Sequence, residues 1–161
     1  RFTGYDLSAD ALVRAREEAA GLGLTNADFV VADLADLALR EEFDVVFAFD
    51  AIHDQADPAG VLRTVHDALA PGGTFVMLDI AAATDVADNL DNPYAPWIYS
   101  ISTLHCMTVS LAEGGAGLGS AWGEELARHM LAEAGFTDTE VVVAPGDESS
   151  LIYVSRCAQR S

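Results

Sequence analysis

The chain has 161 residues, 51% of them hydrophobic, which supplies material for one core, leaves too little length for two, and excludes disorder on composition. Eight basic residues against 26 acidic ones give a net charge of −18, so polyanions are repelled over most of the surface and direct contact with DNA or RNA is not expected. Cys106 and Cys157 are too few for a disulfide framework and lack metal-ligand spacing, and no apolar run reaches the ~20 residues that span a bilayer. A soluble, cytoplasmic chain with no metal site and no membrane contact is expected.

Residues 1–6, RFTGYD, read as a short strand ending in an acidic residue. Ser8 then caps a helix with Leu12, Ala15, Ala19 and Leu22 on one face, ended by Gly21 and Gly23. The apolar run 28–32 is a second strand, followed by Asp33 and a mixed polar stretch to Glu42. FDVVFAF, 43–49, is a third, apolar enough for a parallel strand covered on both faces. Asp57 and Pro58 open a helix in which Val61, Leu62, Val65 and Leu69 recur at helical spacing until Pro71-Gly72-Gly73, and TFVMLDI, 74–80, is a fourth strand. Strands alternating with helices predict an α/β class: a doubly wound, mostly parallel sheet within a single domain over 1–161.

After Ile80 the pattern changes. Residues 81–92 are an Asp-rich connection, and from Pro93 the residues Tyr94, Trp97, Ile98, Ile101, Leu104, Thr108 and Leu111 fall on one helical face, interrupted by Ser100, Thr103 and His105. Such a helix suits a lid or an interface, making 81–121 a lid-like insertion. Residues 114–119 form a glycine-rich break. Trp122, Leu126, Met130, Leu131 and Ala134 define a further helix ending at Gly135, and strands over 139–144 and 150–156 are close enough for an antiparallel hairpin.

Ligands of open parallel sheets sit beyond the carboxyl ends of the strands, which draws attention to Asp6, Asp33, residues 50–53 and Asp79. Asp6 can accept from both hydroxyls of a ribose, or simply cap the following helix; Leu7 can cover an adenine face. Asp33 can accept from an adenine amine, an ordinary loop aspartate being the simpler account of it alone.

The order and spacing of YDLS (5–8), FVVADL (29–34), FDVVFAFDAIHD (43–54), LAPGGTFVMLD (69–79) and the closing hairpin resemble the class I S-adenosylmethionine-dependent methyltransferases, which have a Rossmann-like sheet. STLHCMTVSLAEGGAGLGSAWGE, 102–124, is similar to a small-molecule subgroup often preceded by a winged-helix domain. The resemblance implies S-adenosylmethionine as cofactor. Asp6, Leu7, Asp33 and Leu34 would lie on its nucleoside, and Phe49, Asp50 and Ala51 would face its methionine end. It also implies a small-molecule methyl acceptor, with a homodimer as one possible assembly. His53, directly after the third strand, is the candidate to remove a proton, and a hydrogen-bonding fixture is its plainer reading. Tyr94 and Trp97 are candidates to wall the substrate, against an ordinary packing stripe; His105 is a second candidate, against a satisfied core histidine; Glu124 is a candidate contact, against a helix-start acid. A non-catalytic ligand-sensing or dimerisation module of a transcriptional regulator is the alternative from another class, and an NAD-dependent oxidoreductase a third.

The family's first strand and acidic-x-G-x-G-x-G loop would precede Arg1. An N-terminally truncated domain is therefore expected, with unpaired backbone between the strands at 1–6 and 43–49. Glu113, Gly115, Gly117 and Gly119 reproduce that loop pattern ahead of a helix, as a circular permutation would require, while a flexible hinge is the other reading.

Overall fold

A computed structural model describes residues 1–158. The backbone separates into two compact units, Arg1–Ala38 and the remainder from Leu39, and the described residues form two sheets, one of two strands and one of four. Neither β1 nor β2 pairs with β3 among these residues, as the expected unpaired backbone between the strands at 1–6 and 43–49 requires.

The first unit is a β-α-β arrangement: β1 (Phe2–Asp6), α1 (Ala9–Gly21) and β2 (Ala27–Val31), with the strands parallel from Phe2 opposite Ala27 to Asp6 opposite Val31. Ser8 caps α1 as expected, its Oγ accepting from the Ala11 N–H at 3.1 Å. Leu12 and Ala19 are buried, but Leu22 is exposed, because it is the C-cap residue and the chain leaves the helix there. The Arg16 guanidinium donates to the Phe29 carbonyl at 2.7 Å, fastening helix to strand.

The second unit contains β3 (Phe43–Phe49), α2 (Pro58–Ala68), β4 (Leu69–Ile80), α3 (Ala95–Ile101), α4 (Met107–Ala112), α5 (Glu124–Ala134), β5 (Asp138–Ala144) and β6 (Asp147–Arg156). Its sheet has the order β3-β4-β6-β5, with β3 and β4 parallel and the other pairs antiparallel, so the expected hairpin is present and its second strand lies beside β4. Helix α2 begins as expected, with Asp57 Oδ1 accepting from the Gly60 N–H at 2.8 Å, yet ends at Ala68 rather than at Pro71. The carbonyls of Asp67 and Ala68 are taken by the N–H groups of Glu41 and Glu42, and Ala70 precedes a proline, which disfavours helix. Residues 70–73 then loop out of register, pairing resuming at Val45 opposite Thr74.

Strict alternation along β4 turns Phe75, Met77 and Asp79 inward, opposite Ser155, Tyr153 and Leu151 of β6. Val61, Leu62 and Val65 of α2, Ala127 and Leu131 of α5, and Phe136 complete this core, all at most 5% exposed. Phe75 stacks on Phe136 at a centroid distance of 5.6 Å. Among the described residues β3 pairs with β4 alone, as the expected unpaired backbone beside it implies, but it departs from the expected cover on both faces: Val45, Phe47 and Phe49 along one face are 44%, 54% and 63% exposed.

The helical segment corrects the expected face. Helix α3 continues into a π-helical stretch, Ser102–Cys106, and then into α4, and the buried residues are Ile98, Ser102, Cys106 and Ser110. A spacing of four drifts by about 40° per step on an α-helix but is held in line by the wider π turn. Trp97, Ile101 and Leu104 point outward, and so does His105, which is not a core histidine. The small buried side chains admit the glycine-rich segment: a Cβ at Gly119 would lie 2.2 Å from Ser102 Oγ, and one at Gly115 2.3 Å from Ala56 Cα. Residues 114–119 are thus a packed strap rather than a hinge, and what precedes them is a helix, not the strand a permutation needs. No helix among the described residues is long and apolar enough to cross a membrane.

The revised face sets an expectation for stability. Ile98→Ala should cost about 2–4 kcal/mol in urea denaturation, as a buried truncation does, whereas Leu104→Ala on the outward face should change stability by less than about 0.5 kcal/mol. A cost at Leu104 as large as that at Ile98 would return the helix to the face read from the sequence, which holds both residues.

Candidate functional site

In the first unit the register of β1 and β2, continued by the Ala32 N–H donating to the Asp6 carbonyl at 3.1 Å, brings Asp6 and Asp33 out at the same end of the strands. Asp6 Oδ1 accepts from the Ser8 N–H at 2.7 Å, and Asp33 Oδ1 accepts from the Ala35 N–H at 2.9 Å, capping a 3-10 turn over Leu34–Asp36. Asp6 thus closes a turn ahead of the Ser8 cap rather than capping α1 itself, and Asp33, weighed as an ordinary loop aspartate, caps the short 3-10 turn, each through one carboxylate oxygen. Leu7 is 61% exposed beside Asp6, and Leu34 is half-buried. A depression lined by Arg1, Arg16, Asp28 and Phe29 lies toward the start of these strands, away from the two aspartates.

The second unit holds a denser constellation. Asp50 directly follows β3 with a φ of 46°, a left-handed conformation that aspartate tolerates better than most residues, and its N–H donates to the Leu78 carbonyl at 3.0 Å. The chain turns there, and Ile52 and His53 go inside, at 2% and 3% exposure. His53 Nδ1 meets Asp79 Oδ1 at 2.8 Å, and the same oxygen accepts from the Ile80 N–H at 2.8 Å. Asp79 is fully buried, and its Oδ2 has no hydrogen-bond partner among the described residues. On the other side of the imidazole, Nε2 lies 3.3 Å from Asp54 Oδ1. Cys106 is buried, and one turn further on Ser110 Oγ donates to the Gln55 carbonyl at 2.8 Å and accepts from the Gly117 N–H at 3.0 Å. The helical segment and the glycine strap are thereby tied to the turn that carries His53.

Burial alone would lower the His53 pKa, but the Asp79 hydrogen bond and the charges of Asp79, Asp54 and Asp50 outweigh it and raise the pKa above 6.5. Folding therefore favours the imidazolium. The stability this contributes is complete below the ordinary imidazole value and is lost as pH rises through the folded-state pKa. Burial, followed by the Asp79 charge, also raises Asp50. The Cys106 thiol is pushed up by burial and then by the charge of Asp54. When His53 is neutral, Asp79 holds the proton on Nδ1 and leaves the Nε2 lone pair as the basic position. Two sets of atoms lie close enough together to hold a cation, His53 with Asp54 and Cys106, and His53 with Asp50 and Asp79, within 4.8 Å of one another in each set.

The remaining candidates distribute unevenly. Phe49 is exposed and stacks on Phe47 at 6.0 Å, and the half-buried Ala51 accepts from Gln55 Nε2 at 2.8 Å. Tyr94, Trp97 and His105 occupy the outer side of the helical segment, while the buried Cys106 and Ser110 of the same segment accompany His53 and Gln55. Glu124 opens α5 and pairs with Arg128 at 2.7 Å, as a helix-start acid does. Sequence reasoning passed over Asp54 and Cys106 and assigned no role to Asp79. The signal for Asp79 was available: a carboxylate two residues after Met77 on an inward face needs a buried partner.

A family profile described as "Methyltransferase domain" matches residues 1–135. Among curated proteins, a tRNA U34 carboxymethyltransferase of Desulfotalea psychrophila is 34% identical over 90 residues, a stretch covering 53% of this chain and 28% of that protein. Among solved structures, the S-adenosylmethionine-dependent methyltransferase SibL superposes with a TM-score of 0.71 at 21% identity, over 99% of this chain and 44% of that one. A SAM-dependent methyltransferase from Methanosarcina mazei gives 0.65 at 14% identity, over 98% and 82%. At these identities the structural likeness shows the fold, which is Rossmann-like. The chain spans less than half the length of SibL, and its match spans less than a third of the curated relative.

The buried pair can be read by titration. In NMR the His53 imidazole should titrate above 6.5, and Asp79→Asn, which removes the leading upward influence, should lower its midpoint. An unchanged midpoint in the variant would show that Asp79 does not set the charge of His53.

Proposed function

The chain belongs to the methyltransferase domain family, and from that membership we propose that it binds S-adenosylmethionine and methylates a small molecule bearing an ionisable O–H or N–H group, with His53 as the proton acceptor. The observation that carries this reading is the buried Asp79–His53 pair at 2.8 Å, which is how an imidazole is held as an oriented base.

The donor set at the end of β1 and β2 suits the cofactor. Asp6 and Asp33 are acceptor-only groups, as nucleoside hydroxyls and an exocyclic amine require, and Leu7 beside them offers an exposed apolar surface. When bound, S-adenosylmethionine supplies a methyl carbon on a cationic sulfur, which an attacking atom takes while the C–S electron pair returns to sulfur. The protein then has to orient the acceptor and receive its proton. Neutral His53 takes that proton on Nε2. The imidazolium so formed stands between Asp79 and Asp54, whose charges stabilise it, and a partly buried setting strengthens both interactions. A net charge of −18 supports a small acceptor over a polyanion such as the tRNA named for the curated relative.

Calorimetry with S-adenosylmethionine and a labelled-methyl assay over hydroxylated small molecules test the reading in separate parts. Asp6→Asn should weaken cofactor binding about tenfold or more, while His53→Gln should leave it within about twofold and lower turnover by ~10²–10⁴. Absence of cofactor binding would remove the proposal. Binding with no methylation of any acceptor would favour a ligand-sensing module, and full turnover in His53→Gln would remove the base.

A further inference from the structure

Neither cysteine suggested a metal site in the sequence, because the spacing that marks one is local and the groups here come from distant segments. We propose that His53 Nε2, Asp54 Oδ1 and Cys106 Sγ form a binding site for a divalent cation of the zinc class, with Asp79 as the residue that orients the imidazole.

The geometry fits such an ion at several independent points. Asp79 occupies Nδ1 through its 2.8 Å contact, so the ring presents Nε2 alone, the carboxylate–imidazole arrangement that fixes the tautomer of a metal-bound histidine. Nε2 and Asp54 Oδ1 are 3.3 Å apart, long for a charged hydrogen bond but close to the roughly 3.4 Å that separates two ligands about 2.1 Å from a tetrahedral ion. Asp54 Oδ1 is buried and has no hydrogen-bond partner of good geometry among the described residues. Cys106 Sγ completes a triangle with no side above 4.8 Å, which must contract by roughly 1 Å to bring all three atoms into bonding range. Cys106 is the last residue of the π-helical stretch, immediately ahead of α4.

The donor types choose the class of ion. Nitrogen, carboxylate oxygen and sulfur together suit zinc and disfavour magnesium and calcium, which take oxygen ligands. Three protein ligands leave a fourth position for water or for an atom of a bound molecule. On ligation the Cys106 thiol gives its proton to solvent and binds as thiolate. The second set, with Asp50 and Asp79, is set aside because Asp79 engages Nδ1 at hydrogen-bond distance and leaves no room for an ion between them. The inference needs neither cofactor nor acceptor, so its success or failure is independent of the proposed reaction.

Titration of the whole chain, freed of metal by chelator, with zinc chloride and then with cobalt(II) chloride tests the site. One zinc ion per chain should bind, and cobalt should give the near-ultraviolet absorption of a thiolate-to-metal charge transfer. Cys106→Ser, close in size and expected to fold, should abolish that absorption and weaken zinc by about tenfold or more. Asp54→Asn should weaken zinc while keeping the absorption, and Asp79→Asn should weaken it by ~10–100-fold, as loss of an orienting carboxylate does. Failure to bind one ion, cobalt without the thiolate band, or affinity unchanged in both Cys106→Ser and Asp54→Asn would overturn the proposal and assign any retained metal to the acidic surface.

Discussion

A carboxylate that is fully buried, on a strand face otherwise occupied by Phe75 and Met77, is the constraint from which the rest of the site follows. An ionised Asp79 in that position is costly unless a donor or a counter-charge meets it, and its polar partners among the described residues are the Ile80 N–H and His53. For His53 to reach it, the chain must leave β3 abruptly, which the left-handed turn at Asp50 accomplishes. Once the imidazole is fixed on one side by Asp79, its other nitrogen is committed to the space bounded by Asp54 and Cys106. Conformation, charge and location are thus set by one another, and none of the residues involved is free to vary alone.

The elements were largely legible because each is specified locally. Ser8 and Asp57 cap the helices that follow them, β3 has the bounds its apolar run suggested, and the closing hairpin pairs as its short connection implied. Legibility ended where specification became nonlocal. The end of α2 is set partly by Glu41 and Glu42, which take the carbonyls of Asp67 and Ala68 from another part of the chain. The separation of the described strands into two sheets was legible only through the family resemblance, which left the backbone between the strands at 1–6 and 43–49 unpaired; side-chain pattern says nothing of it. His53 could be singled out by its position after a strand, but its partner Asp79 lies 26 residues away, so its environment required the fold.

The helical segment shows why periodicity misleads when the buried stripe is small and polar. Reading by apolar residues selects Ile98, which lies inside, but with it Trp97, Ile101 and Leu104, which lie outside, and passes over Ser102, Cys106 and Ser110, which lie inside. Those small side chains are buried because a glycine strap needs room, and the room is tight enough that a single Cβ at Gly115 would collide with Ala56. The serines do not lie there unsatisfied: Ser110 bonds to the Gln55 carbonyl and the Gly117 N–H, joining helix, strap and the His53 turn through one hydroxyl. A stripe chosen for size and hydrogen bonding carries no hydrophobic signature, and the intervening π-helical stretch displaces it from an α-helical period.

The two uses argued for His53 draw on the same lone pair. Nε2 can take a proton from an acceptor or bind a cation, but not both at once, so a site that does both is one in which the cation withholds the base. The surrounding charges permit either occupant. Asp54 and Asp79 stabilise positive charge at the ring whether it arrives as a proton or as an ion beside it. Cys106 distinguishes them, because a buried thiol whose pKa is raised by burial and by Asp54 contributes little to holding a proton on the imidazole, whereas as thiolate it is a strong ligand to a soft cation. Its position on the small-residue stripe makes the distinction structural as well: the face of the helical segment that accommodates the glycine strap is also the face that brings sulfur to the histidine, and the packing that hides the stripe from a sequence reading is what places the third ligand.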